Sequence, residues 1–386
     1  MSRSILGKRK FSKKRESVGK SISLFRSFGR RMNHGIKEIK MQGKIRLIGK
    51  VMLVLSGVCF LLSIGVGSFA AETKGLVIYL SPNQFDEFQT TASMFIRKYV
   101  EDAGYEYKEM VAGNEDVVLQ LSQLENAIVL NPVGIIIAAC DASAIVVGIE
   151  KARGKGIPVI VFDRTIKETE VDFSSVAGCK RIGILAAGEI ARLLKEKYGE
   201  VKGTVLSIMG DPGDMYTVLI EEGFQETMAK YPNVEITTKI AYGWEASKAA
   251  DITDDWLVAH PDTDLLFPHA EHMAAAITSV LETRGYKKGQ IIHVSTAGMP
   301  MGLDLVREGW LQATVEQPLT AQAKGVAMFL DDVISKKKIE TGKYTVMGFE
   351  SELVMQPYGP ELRIPGSVIT LENVDDPKFW GNQVGK

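Results

Sequence analysis

From residue 75 onward, apolar positions follow two alternating rhythms. Short unbroken runs rich in Ile and Val read as strands buried on both faces. The stretches between them repeat apolar residues at helical spacing. Segment 131–164, NPVGIIIAACDASAIVVGIEKARGKGIPVIVFDR, shows the unit whole: GIIIAA, a helical stretch over 142–153, then IPVIVF. Continuous apolar strands joined by helical crossovers belong to a parallel sheet covered on both faces, and ligands of such sheets sit beyond the carboxyl ends of the strands. Asp163 and Arg164 stand at such an end.

The same alternation runs through the chain. GLVIYLS predicts a strand, 88–103 a helix stopped at Gly104, YEYKEMV a strand, and 116–127 a helix leading into the unit just described. VDFSSVA predicts a further strand and 180–198 a helix. A second series starts at Gly203 with TVLSIM, a helix over 216–230, VEITTKI, a helix over 246–259, DLLF, a helix over 271–284 and IIHVS. WLQATV, a helix over 321–335 and an extended tail from Tyr344 have no core of their own and must add to what precedes them. The expectation is an α/β fold of two doubly wound parallel-sheet lobes. No low-complexity linker divides them, which implies several chain crossings.

Composition changes the picture mainly at the N-terminus. The 386 residues, 45% of them hydrophobic, suffice for two such cores. The net charge of -1 conceals an asymmetry: residues 1–70 carry sixteen Lys or Arg against Glu16 and Glu38, leaving the remainder acidic. An acidic body argues against nucleic-acid binding, where phosphate neutralisation supplies most of the affinity. The uncharged run VMLVLSGVCFLLSIGVGSFAA follows Lys44, Arg46 and Lys50 and ends in Ser68-Phe69-Ala70. A basic region, an apolar region and small residues at the cleavage positions predict an export signal cut before Ala71. Retention of 51–70 as a membrane anchor is the alternative. The basic stretch is long for a signal, so Met32 and Met41 are alternative starts, and Cys59 reads as one more apolar-region residue. Cys140 and Cys179 remain, read as two free thiols beside apolar segments in preference to a disulfide.

Signals for catalysis are weak. GIEKARGKG misses the phosphate-loop spacing and lacks a Ser or Thr after its Lys, and it reads as a helix end with a Gly stop. No nucleophile elbow or dinucleotide fingerprint is present, so neither an enzyme nor a cofactor is expected. His269, Glu271 and His272 form a compact group without the spacing of a zinc site; a solvated helix start, or ligand contact by one of them, is the expectation.

Taken in order, Asn83-x-Phe85, NPVGIII, GIPVIVFDR, GFQETMAKYP, WEASK, FPHAEHMA, ATVEQP and VDDPKFWGN resemble the ribose/galactose-type periplasmic sugar-binding proteins, the substrate-capturing components of ABC importers. The resemblance covers essentially all of 74–384. It implies type 1 periplasmic binding protein lobes joined by a three-strand hinge, with the first lobe at 73–177 and 318–348 and the second at 178–317 and 349–386. It further implies a ligand between the lobes, hinge closure on binding, a membrane permease as partner and a monomeric binding protein. By the same resemblance Asn83 and Phe85, with Phe88 nearby, belong to the aromatic loop after the first strand. Asp163 and Arg164 match an Asp-Arg pair for vicinal hydroxyls. Trp244 falls at a second-lobe aromatic and Gln317 at a hinge-side Gln. Departures are equally specific: Asp86 replaces a second aromatic, and Val218, Ala270 and Ala297 replace an Arg, an Asn and an Asp. Such losses imply a ligand with fewer hydroxyls on that side, with Asp214, Tyr216, His269 and Glu271 as candidate replacements. The other readings of the same cleft are a membrane-tethered sensor lobe signalling to a receptor and, third, a cleft enzyme. A DNA-binding regulator on the same lobes would need a helix-turn-helix before Gly75, where the export signal stands.

Overall fold

The computed structural model describes residues 73–384; the predicted signal or anchor at 51–70, and Cys59 within it, lie outside the described residues. The first lobe opens with β1 (Leu76–Ser81), α1 (Glu87–Asp102), β2 (Glu106–Val111), α2 (Val117–Val129), β3 (Gly134–Ile137), α3 (Val146–Gly154), β4 (Val159–Phe162) and β5 (Phe173–Val176). The second continues with α4 (Cys179–Tyr198), β6 (Gly203–Met209), α5 (Met215–Met228), β7 (Val234–Ile240), α6 (Ala246–Ala259), β8 (Leu265–Pro268), α7 (Glu271–Thr283), β9 (Ile292–Ala297), α8 (Pro300–Glu308) and β10 (Ala313–Glu316). The chain then returns through α9 (Leu319–Ile334), β11 (Gly342–Val346), β12 (Phe349–Gln356) and β13 (Gly359–Arg363) before β14 (Val368–Ile369).

Strands β3, β4 and β5 are buried along their whole length, as unbroken apolar runs require of a sheet covered on both faces. The first sheet runs β11-β12-β13-β5-β4-β3-β1-β2 and the second β14-β10-β9-β8-β6-β7. Each therefore has a doubly wound core, with a strand-order reversal beside β1 in one lobe and β6 in the other. Ligands of such sheets collect at these switch points. Asp86 caps α1 by accepting from Gln89 N at 2.7 Å, and Asp214 caps α5 by accepting from Tyr216 N at 2.8 Å. Pro300–Glu308 forms a helix absent from the pattern reading; it is short, and only Gly302, Leu303 and Val306 are buried.

The lobe boundary differs from the expected one. Strands β12 and β13 pair within the first sheet, β13 running parallel to β5, so residues 349–363 belong to the first lobe. The return to the second lobe comes after Arg363, where β14 pairs antiparallel with β10. Three crossings result, around 177, 317 and 365. They are laced together: Ile364 N donates to Val176 O at 2.9 Å and Glu316 N to Ser367 O at 2.7 Å. Cys140 and Cys179 are both free and buried, and among the described residues no helix is long and apolar enough to cross a membrane.

Candidate functional site

Loops leaving the carboxyl ends of both sheets converge on a small cavity between the lobes. Phe88 and Gln89 enter from the first turn of α1, and Asp163 and Arg164 from the end of β4. Asp214 and Tyr216 enter from the start of α5, and Trp244 from the turn after β7. Ala270 and His272 follow β8, Ala297 ends β9 with Met299 just beyond it, and Gln317 follows β10. The lobes touch around it. Ala142 N donates to Gly213 O at 3.1 Å, and the Phe88 and Trp380 rings meet edge to face at 5.8 Å.

Backbone strain gathers here. Asp163, Trp244 and Ala297 have φ of 68°, 57° and 115°, conformations that cost non-glycine residues about 1–3 kcal/mol each and persist where surrounding structure enforces them. Trp244 lies so close over Gly210 that a Cβ there would stand 2.2 Å from its ring. Gly210 therefore sets the depth of this aromatic wall.

Arg164 is the electrostatic centre. Its two Nη atoms form a fork on Glu115, at 2.6 and 2.9 Å, and Nη1 also donates to Ala139 O at 3.1 Å. Nε lies 2.8 Å from Asp214 Oδ2 in the opposite lobe, close enough for Coulomb attraction but with its N–H turned away from that oxygen. Asp163 accepts from Gln89 Nε2 at 3.2 Å and from Gln317 Nε2. One guanidinium does not neutralise Glu115, Asp163 and Asp214 together. Burial alone would weaken the arginine's charge, but Asp214 and Glu115 more than offset it and its pKa is raised. The surplus acidity is relieved at the carboxyls instead. Burial pushes Asp163 up to about 6 against the pull of Arg164, Gln317 and Gln89. Burial pushes Asp214 up to about 8, with Arg164 opposing and Asp163 reinforcing.

Four buried polar atoms of lining residues have no hydrogen-bond partner among the described residues: Gln89 Oε1, His272 Nδ1, Arg164 Nε and Trp244 Nε1. His272 Nε2 lies 2.9 Å from Trp244 O, a carbonyl that only accepts, so Nε2 carries a proton and, in the neutral ring, Nδ1 is a bare acceptor. Buried polar atoms are rarely left unmatched. Two acceptors, two donors and aromatic faces around a small cavity describe the complement of a compact polyhydroxylated molecule.

The comparisons agree with this geometry. The model of a family described as periplasmic binding protein domain matches residues 77–338. The chain belongs to that family. Its members are exported binding proteins and not enzymes. Relatives include the D-apiose import binding protein of Actinobacillus succinogenes, 24% identical over 288 residues that make up 73% of this chain and 89% of the relative. The ribose import binding protein of Salmonella typhimurium is 26% identical over 298 residues, 77% of this chain and 96% of that one. A carbohydrate transporter solute binding protein from Agrobacterium radiobacter, solved with D-arabinose, superposes with a TM-score of 0.70 at 19% identity, covering 80% of this chain and 99% of that one.

Seven of the residues expected at a family site line the cavity: Phe88, Asp163, Arg164, Asp214, Tyr216, Trp244 and Gln317. Four others do not. Asn83 is buried beside it, donating from Nδ2 to Glu115 Oε1 at 2.5 Å and accepting from Phe85 N, so it shapes the loop. Phe85 is 48% exposed and faces an outer depression. His269 lies behind the cavity wall, where Nδ1 meets Thr217 Oγ1 at 2.7 Å and Nε2 lies 3.2 Å from Glu221. Burial alone would raise Glu221, but its hydrogen bond to His269, the His269 charge, and Gln225 and Thr238 hold it down at about 2. Glu271 turns toward the hinge and accepts from Gly298 N and Thr314 Oγ1, both at 2.5 Å. Consecutive residues on a helix point about 100° apart, which is why His272, one step on, reaches the cavity and Glu271 does not.

Gln89, Glu115 and Met299 are additions that the sequence reading did not single out. Gln89 carried a local signal, standing three residues after the helix-capping Asp86. Glu115 carried none, because its pairing with Arg164 spans two loops distant in sequence. Ala270 and Ala297 line the cavity, and Val218 does not.

Proposed function

We propose that this protein captures one small carbohydrate-like ligand, a sugar or polyol, in the interlobe cleft and delivers it to the membrane permease of an ABC importer. The observation that carries this reading is the set of unmatched buried donors and acceptors around the aromatic-walled cavity. Aromatic faces cover the apolar faces of a sugar ring, and fixed polar atoms take its hydroxyls. The import binding proteins for D-apiose and ribose among its relatives support the same class. Arg164–Asp214 and Phe88–Trp380 join opposite lobes, so ligand capture shifts a hinge equilibrium toward the form in which these contacts exist. The protein acts as a monomer outside the cytoplasm, released by cleavage before Ala71 or held by 51–70. Its permease reads the closed lobes.

A thermal-shift screen against pentoses, hexoses, polyols and nucleosides tests this. A ligand present at about a hundred times its Kd stabilises by about 2.7 kcal/mol. A hit among sugars or polyols supports the proposal, and stabilisation by nucleosides alone, or by nothing in the panel, refutes it.

A further inference from the structure

The cavity is more acidic than neutral hydroxyls require. Asp86, Asp163 and Asp214 line it, and Arg164 is the one Lys or Arg among the lining residues. Both Nη atoms of that arginine already hold Glu115, and its Nε lies near Asp214 without donating to it. The two Nη atoms are thus taken up within the protein, only Nε remains open, and even with Asp214 holding a proton the carboxyls of Asp86, Asp163 and Glu115 outnumber the one guanidinium. Gln89 is 3% exposed with an unpartnered Oε1, and His272 adds a second bare acceptor.

A neutral sugar would supply donors to these acceptors and leave the buried charge uncompensated, which is costly for side chains as buried as Asp163 and Asp214. An ammonium group supplies three donors and the missing positive charge at once. Tyr216 and Trp244 line the same cavity, with ring centroids 6.0 Å apart, and aromatic faces attract a cation. Among the described residues no group of His, Cys, Asp and Glu is arranged to hold a metal ion, so an organic cation fits the arrangement better than a bare divalent one. We infer that the captured ligand carries a protonated amine beside its hydroxyls, as amino sugars and amino polyols do. The inference rests on the capture reading above and narrows it.

Calorimetric titration of the full chain with two matched pairs tests it: glucosamine against glucose, and 1-amino-1-deoxyglucitol against glucitol. Each pair differs by one hydroxyl replaced by an amine, which is charged at about pH 6.5. In at least one pair the amine should bind at least about tenfold more tightly. Asp86→Asn removes one lining charge while keeping a helix cap, and it should shrink that ratio several-fold. Equal or tighter binding of the neutral members overturns the inference and leaves sugar capture standing. An unchanged ratio in Asp86→Asn overturns the assignment of the cation to this cluster. Binding by neither member of either pair also overturns it, and the thermal-shift screen then judges the capture reading separately.

Discussion

Replacing Arg164 with Met tests the electrostatic account of the site most directly. The side chain is 4% exposed, and its partner carboxylates Glu115 and Asp214 are 7% and 2% exposed. Methionine keeps most of the apolar volume and removes the cation. Breaking a buried pair from one side costs about 3–5 kcal/mol, because the remaining charge is left uncompensated. That cost depends on pH in a definite direction. Asp163 and Asp214 already titrate at about 6 and about 8 in the fold. A raised carboxyl contributes stability below its unfolded value and loses it as pH rises through the folded one. Removing Arg164, which holds both values down, raises them further. Near pH 5 the folded variant therefore keeps these two groups protonated, and its deficit shrinks to the loss of the fork on Glu115, whose hydrogen bonds to a charged group are worth about 1.5–3 kcal/mol each. Near pH 8 the uncompensated charge of Asp163 and Asp214 is added and the deficit grows. Urea titrations of wild type and Arg164→Met at both pH values measure the difference. A deficit equal at the two pH values would show that Arg164 does not compensate Asp163 and Asp214 and would refute the reasoning.

Other substitutions separate the cavity from its surroundings. Gly210→Ala places a methyl group 2.2 Å from Trp244; the indole must move, so affinity should fall by at least about tenfold and stability by about 1–3 kcal/mol, read by titration and thermal melts, and unaltered binding would remove Trp244 from the ligand contact. Phe85→Ala should leave affinity unchanged and stability within about 0.5 kcal/mol, since this ring faces solvent outside the cavity; a large loss of binding would return it to the site. Burial pushes Glu271 up to about 8, with Thr314 and Gly298 opposing, so its acid form suits the fold and its contribution is lost as pH rises through that value. Glu271→Gln should therefore melt close to wild type at about pH 6 and above it at about pH 9; parallel melting curves across that range would contradict the assignment.

Legibility followed the range of the interactions involved. The unbroken runs GIIIAA and IPVIVF identified central strands because a buried strand needs no contribution from distant sequence to be apolar. Helices over 246–259 and 180–198 were readable from their periodicity, while Pro300–Glu308 was too short for its period to stand out. The tail from Tyr344 shows its extended character but not its lobe, since β12 and β13 join the first sheet: a strand's pattern records that it is half-buried and not which sheet edge it joins.

Periodicity alone yields the strand-helix alternation, the two similar series, and the position of Asp163 and Arg164 at a strand end. These are local consequences of periodicity, and the ordered resemblance to sugar-binding proteins added the cleft. Which polar residues meet emerges only in the folded chain. It turned His272 and not His269 or Glu271 toward the cavity, withdrew Asn83 into the loop, and brought Glu115 and Asp214 from opposite lobes onto one guanidinium. The physical reason is that charge compensation in a buried site depends on distances across chain crossings, and a linear pattern of residues carries no record of those distances.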